Sequence, residues 1–260
     1  MTEFGPSDAP PEKEVRRLKK ITREEVEANL ARGENLEDLD IKDLDLAGLN
    51  FEEKKFRGSD IRGAWFYGKK QDEEGKIIEL ITNLRRADFT DTTIGDLGPE
   101  TVFGRVEAEG AIFGFTEDLI SRRKRHAAMN NSGERPDAAD SGGLYGFNGG
   151  GGNFKKTKWK NIDFGGGSDS GALFPGADLS EAEIVGSDLA GLDLSTTKID
   201  DIKIKDPLSL QGLIITAEQV DTLVRAIELS DENERQKFAE EVKQKGPEMA
   251  LKDYFRVIIK

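Results

Sequence analysis

The 260-residue chain carries 51 acidic and 38 basic side chains, a formal charge of −13, and has no cysteine. That balance opposes the general affinity for nucleic acid that a basic surface gives, so no direct nucleic-acid binding is expected; the missing thiols exclude a disulfide framework, a thiolate nucleophile and a zinc–thiolate site. No apolar run of about eighteen residues is present, so no membrane span is expected, and the first residues lack the apolar segment of a secretory signal, which points to the cytoplasm or to export without a cleaved signal peptide.

Residues 1–11 are polar and contain Pro6, Pro10 and Pro11, the composition of a disordered tail. Segment 12–34 is expected to hold an N-terminal capping helix: Thr22 and Glu25 have capping-box spacing, Val26 and Leu30 share a face, and Gly33 can end it. From Leu36 a large apolar residue returns at every fifth position, through Ile41, Leu46, Phe51, Phe56, Ile61 and Phe66. Leu39, Leu44, Leu49, Ser59 and Ala64 lie two residues before members of this series; Lys54 is the misfit, and a distorted corner is expected beside it. Residues 69–81 interrupt the beat and read as a loop or hairpin. It resumes at Leu84, Phe89 and Ile94, skips through Gly98 and Pro99, and continues at Phe103, Ala108 and Phe113.

A second insertion, 116–146, contains the densest basic cluster of the chain, Arg122, Arg123, Lys124 and Arg125. It reads either as a solvated loop or as a partner-docking arm. After the glycines at 149–152 comes the longest block: Phe154, Trp159, Phe164, then Phe174, Leu179, Ile184, Leu189, Leu194, Ile199 and Ile204, with Asp169 the one slot out of series. Segment 207–260 is expected to form a helical cap and tail. Thr216 and Gln219 mark one helix start and Ser230 another, while the apolar end around Tyr254 and Phe255 must pack on the rod or against a second copy, giving a homodimer.

A period of five suits neither a strand, which repeats every two residues, nor a helix, which repeats every 3.6. The chain must turn a corner in each unit. With four corners per turn the large residues meet around one axis, and backbone groups pair with the coils above and below at about 4.8 Å. Residues 35–206 are therefore read as an all-β solenoid of about six coils, roughly 29 Å long. Its core is filled by Phe51, Phe56, Ile61, Phe66, Phe89, Phe164, Phe174, Leu179, Ile184, Leu189, Leu194 and Ile199.

The units ADLSE, SDLAG and LDLST resemble the repeat of the pentapeptide-repeat family. The resemblance implies a right-handed quadrilateral β-helix, and the segment LQGLIITAEQVDTLVRAIE resembles the terminal helix that often follows its last coil. Some members of that family are bacterial effectors, and some mimic duplex DNA and bind type II topoisomerases such as gyrase.

Catalytic chemistry finds little to work with. His126 is the only histidine and sits in the basic insertion; GGGGNFKK lacks the ending of a phosphate-binding loop. The recurring aspartates occupy one slot of the repeat, where corner hydrogen bonding accounts for them. No enzyme activity, cofactor or metal is expected. If residues twenty apart stack, Ala190 and Gly191 lie over Ser170 and Gly171, with Gly150 and Gly151 below, forming a small, uncharged face on which something packs. Other faces carry Asp178, Glu181, Asp188, Asp193 and Asp200, while Lys155, Lys156, Lys158 and Lys160 make the start of the same block basic. The favoured reading is a rigid scaffold or effector that binds a protein through the basic insertion, the acidic residues or Tyr254 and Phe255. The alternative is a DNA mimic acting on gyrase. An enzyme would need a pocket between the rod and the 116–146 insertion.

Overall fold

The computed structural model describes residues 18–94, 101–124, 144, 147–165 and 171–260. The tail at 1–11, Arg125, His126 and most of the second insertion lie outside them.

Each repeat unit turns in the same way. The large residue is followed by a turn whose second residue has positive φ, such as Asp38, Asp43, Gly48, Glu53, Gly58 and Gly63. The N–H of the next residue returns to the carbonyl of the large one, as from Ser59 to Phe56 and from Ala64 to Ile61, both at 3.0 Å. Glycine takes that left-handed position without strain, and acidic or basic residues fill it at about 1 kcal/mol. The residue before the large one points outward, and where it is Asp or Asn its side chain accepts the N–H two residues on. Asp45 to Ala47 at 3.0 Å, Asp188 to Ala190 at 2.9 Å and Asp193 to Ser195 at 2.9 Å are examples.

The corners stack into a β-helix joined by parallel bridges, among them Asp40 to Asp60, Lys55 to Asp88, Asn83 to Glu107, Asn153 to Asp178 and Asp163 to Asp188. The large residues fall into four stacks. One runs Ile21, Ile41, Ile61, Ile94, Leu144, Phe164, Leu189 and Leu210; the next Leu46, Phe66, Phe103, Phe174, Leu194 and Ile215. The third holds Phe51, Leu84, Ala108, Phe154, Leu179 and Ile199, and the fourth Leu36, Phe56, Phe89, Phe113, Trp159, Ile184 and Ile204. All are buried. In the fourth stack the rings lie face to face at the coil spacing, with centroids at 4.5 Å for Phe56 and Phe89, 4.9 Å for Phe89 and Phe113 and 4.3 Å for Phe113 and Trp159.

Two expectations about the repeat change, and one slot is filled from a neighbouring position. Ala172 N–H bonds to the Phe164 carbonyl at 2.8 Å, the closing bond of an ordinary corner, so the Phe174 corner is the next after the Phe164 corner and the expected intervening side is not counted; Asp169 itself lies outside the described residues. Consequently Leu189 stands over Phe164, twenty-five residues back instead of twenty, which removes the basis for stacking Ala190 and Gly191 on positions 170 and 171; Ser170 is outside the described residues. Beside Lys54 no distortion appears. Glu53 has the ordinary corner φ of 61°, and the Lys54 Nζ donates outward to the Gly33 carbonyl at 2.8 Å, keeping its charge out of the core. Finally, Gly149 occupies the central slot between Phe103 and Phe174, and Phe147 fills the core in its place, 4.9 Å from Phe103 and 5.3 Å from Phe174.

Both ends are closed. At the first, the strand Lys19–Lys20 pairs with Leu39–Asp40 before the helix Arg23–Ala31 begins, so the helix is shorter than segment 12–34. Its capping box is formed: Thr22 N–H donates to Glu25 at 2.8 Å, and Glu25 N–H to Thr22 at 3.3 Å. At the other end the coil runs past residue 206 through Leu210 and Ile215. Gln219 donates to the carbonyl of Thr197 at 2.8 Å, which receives no coil above it, and also to that of Leu194 at 3.0 Å. The helices Val220–Ala226, Glu232–Lys245 and Pro247–Phe255 follow. Asp231, not Ser230, caps the second, because Ser230 is bound to Asp206. The chain then returns to the coil, where Ile258–Ile259 pairs in parallel with Ile214–Ile215.

Candidate interaction surfaces

The excursion 67–81 is a hairpin, with strand Tyr67–Gln71 antiparallel to Ile77–Ile81. One of its sides lies on the coil, where Leu80 meets Gly48. Glu79 anchors the other side by accepting from Tyr67 and Arg105, and the bond to Arg105 is the larger cause of its lowered carboxyl pKa. Large apolar side chains remain in solvent: Ile77 is 61% exposed, Ile81 47%, and Trp65, just before the hairpin, 55%. The five-residue beat passed over these residues because none occupies an inward slot of the repeat.

The start of the second insertion turns onto the coil. Residues 119–124 are helical. Arg122 is only 2% exposed, its guanidinium 3.3 Å from the centre of the Phe115 ring. Arg123 donates to Asp163 at 2.7 Å and to Asp188 at 2.6 Å, two carboxylates stacked on successive coils. Burial alone would lower its pKa, but the bonds to both carboxylates outweigh it and raise it. Of the predicted basic cluster, then, Arg122 and Arg123 serve this chain's own packing. Lys124 is exposed.

The predicted acidic residues are largely matched by neighbouring cations. Asp178 lies 3.4 Å from Lys155, and Asp193 2.8 Å from Lys260. Both carboxyl pKa values are lowered: burial pushes each up, but is outweighed by bonds from Ser180 and Lys155 in one case and from Lys260 and Ser195 in the other. Glu181 lies in the field of Lys156, which itself bonds Glu109 at 3.1 Å. Asp188 is held by Arg123, and Asp200 is exposed. Tyr254 and Phe255 pack on their own chain, with ring centroids 5.5 and 5.0 Å from Phe238. Burial first, then the hydrogen bond to Glu234, pushes the Tyr254 hydroxyl up to about 12.

Lys155 and Lys156 thus separate from Lys158 and Lys160. The first two face acids; the second two join Lys203 and Lys205 on another side of the coil. Among the described residues no three His, Cys, Asp or Glu side chains are grouped to hold a metal, and no helix is long and apolar enough to cross a membrane.

No family model and no curated protein matches the sequence. Among solved structures the chain is similar to QnrB1, a plasmid-mediated fluoroquinolone resistance protein. A trypsin-treated form is 15% identical with a TM-score of 0.26, the match covering 86% of this chain and 93% of that one. The full-length form is 16% identical with a TM-score of 0.23, covering 86% and 94%. HetL from the cyanobacterium Nostoc sp. strain PCC 7120, a pentapeptide-repeat protein involved in heterocyst differentiation regulation, is 12% identical with a TM-score of 0.16, covering 75% and 97%. Overlaps this loose carry no argument about function. The likeness to the pentapeptide-repeat family rests on this chain's own coil, with its five-residue sides, its four stacks of large residues and its parallel bridges.

Proposed function

We propose that the chain is a non-enzymatic interaction protein: a right-handed quadrilateral β-helix acting as a rigid scaffold that presents the 67–81 hairpin to a protein partner. The observation that carries this reading is the exposure of Ile77, Ile81 and Trp65 on and beside an excursion whose other side is fixed to the coil. Apolar area of this kind is costly to leave in water and marks contact sites. A hairpin tied down by Leu80 and Glu79 needs little ordering on binding, which lowers the entropic cost of association. The matching of Asp178, Asp188 and Asp193 by Lys155, Arg123 and Lys260 favours this over mimicry of DNA, whose phosphates form an unbroken negative lattice.

The test is affinity capture from the native cell with the intact chain and with the Ile77→Ser/Ile81→Ser variant, followed by quantitative mass spectrometry. A partner retained by the first and lost by the second supports the reading. Identical partners in identical amounts would remove it.

A further inference from the structure

Strands Lys158–Lys160, Glu183–Val185 and Lys203–Lys205 are neighbours in the six-stranded sheet that forms one side of the coil. Their register sets Lys158, Glu183 and Lys203 in one row and Lys160, Val185 and Lys205 in the next. The four lysines are exposed, while Trp159, Ile184 and Ile204 between them are buried and fix the strands. Two residues along a strand span about 6.6 Å, and two strand spacings about 9.6 Å, so the four cations stem from a rectangle of that size on a rigid floor.

Several cations elsewhere on the coil are ion-paired: Arg86 with Glu52 at 3.0 Å, Lys156 with Glu109 at 3.1 Å, Lys155 with Asp178 at 3.4 Å, and Arg123 with Asp163 and Asp188. Among the described residues, none of Lys158, Lys160, Lys203 and Lys205 has such a partner. Glu183 offsets only the first row, and Glu228 lies in register beyond Lys205. In a chain of net charge −13, these unpaired lysines are gathered on one side of the coil.

We propose that this face docks a short acidic segment of a partner protein, extended along the lysine strands. The proposal deepens the interaction-protein reading and rests on it. Alternate residues of an extended segment repeat at the same spacing of about 6.6 Å as Lys158 and Lys160, so carboxylates at every second position meet successive lysines. Val185 offers an apolar contact in the second row, suited to an aliphatic side chain of the same segment. The patch is also short. Ile112 and Gly114 follow it on one side and Glu228 on the other, and Glu181, Asp200 and Asp201 stand at the preceding corners. A long polyanion such as nucleic acid would run off the lysines onto these acids, whereas a segment with a few carboxylates would not.

The experiment measures fluorescence anisotropy of a labelled peptide of alternating glutamate and valine against the full-length protein. Its companions are a peptide of alternating lysine and valine and a labelled oligodeoxythymidine. The acidic peptide is expected to bind, and to bind less as salt rises. Lys158→Glu/Lys203→Glu and Lys160→Glu/Lys205→Glu should each weaken it about tenfold or more, and Lys69→Glu/Lys70→Glu on the hairpin should not. All six lysines are exposed, so the variants should keep the wild-type melting curve, which circular dichroism checks. Absence of peptide binding, equal loss in the hairpin variant, or tighter binding of the oligonucleotide would each overturn the proposal. If it falls while Ile77→Ser/Ile81→Ser still loses a captured partner, the lysine face is discarded and the interaction-protein reading stands.

Discussion

Replacing Gly149 by alanine should destabilise the coil even though this glycine has no unusual backbone angle. A Cβ there would come within 2.9 Å of the Phe147 ring and 3.0 Å of the Phe154 ring. Neither ring can retreat easily, since Phe147 is stacked between Phe103 and Phe174 and Phe154 packs on Trp159. Overpacking of this kind costs about 1–3 kcal/mol. Alanine also removes freedom from the unfolded chain, which works the other way by about 0.4–1 kcal/mol. The clash therefore wins, with a net loss of about 1–2 kcal/mol, read as a lower urea midpoint at unchanged slope. Adding Phe147→Leu, which shrinks the intruding side chain, should recover part of the loss that Gly149→Ala causes when Phe147 is kept. If Gly149→Ala matches the wild type, or if the effects of the two changes simply add, Phe147 does not fill the slot that Gly149 vacates.

Two more outcomes follow from the ion pairs. Arg123→Ala should leave global stability within about 1 kcal/mol, because the side chain is part-exposed, yet it should speed amide exchange through residues 119–124; unchanged exchange would mean that the bonds to Asp163 and Asp188 do not hold that helix down. The lowered carboxyl pKa values of Asp178 and Asp193 contribute stability that is present above about pH 4, the ordinary carboxylate range, and lost as pH falls through their folded values. Lys260→Met should shrink that acid-side loss, which melting curves from pH 6 down to about pH 2 would show; an identical pH profile would exclude the Lys260 pair as a cause.

What the sequence discloses depends on the range over which a signal acts. The capping box of Thr22 and Glu25 is local, and it is found where the spacing places it. The beat of five is local as well, and it identifies Phe56, Phe89, Trp159 and Ile184 as core without help from tertiary structure. Which unit stacks on which is a different matter, because it requires counting corners. The gap from Phe164 to Phe174 is ten residues but leads to the next corner, which keeps the five-residue phase while shifting every later unit by one side. That is why a count of twenty residues per turn misplaces Ala190 and Gly191, and why Asp169 reads as one slot out of series. The same shift concealed the lysine face, since Lys158 and Lys203 align only after Glu183 is placed between them. Arg123 was visible as charge, but its carboxylates lie 40 and 65 residues away. For Trp65 and Ile77 no periodic signal existed at all.

The hairpin leaves the coil at a bend, directly after Phe66, and the second insertion rejoins it at another, just before Leu144. Because a bend contributes little to the stacked interior, new segments can be spliced there while the aromatic column beneath is undisturbed. Such a tube behaves like a pegboard, on which attachments can be added or exchanged without rebuilding the board.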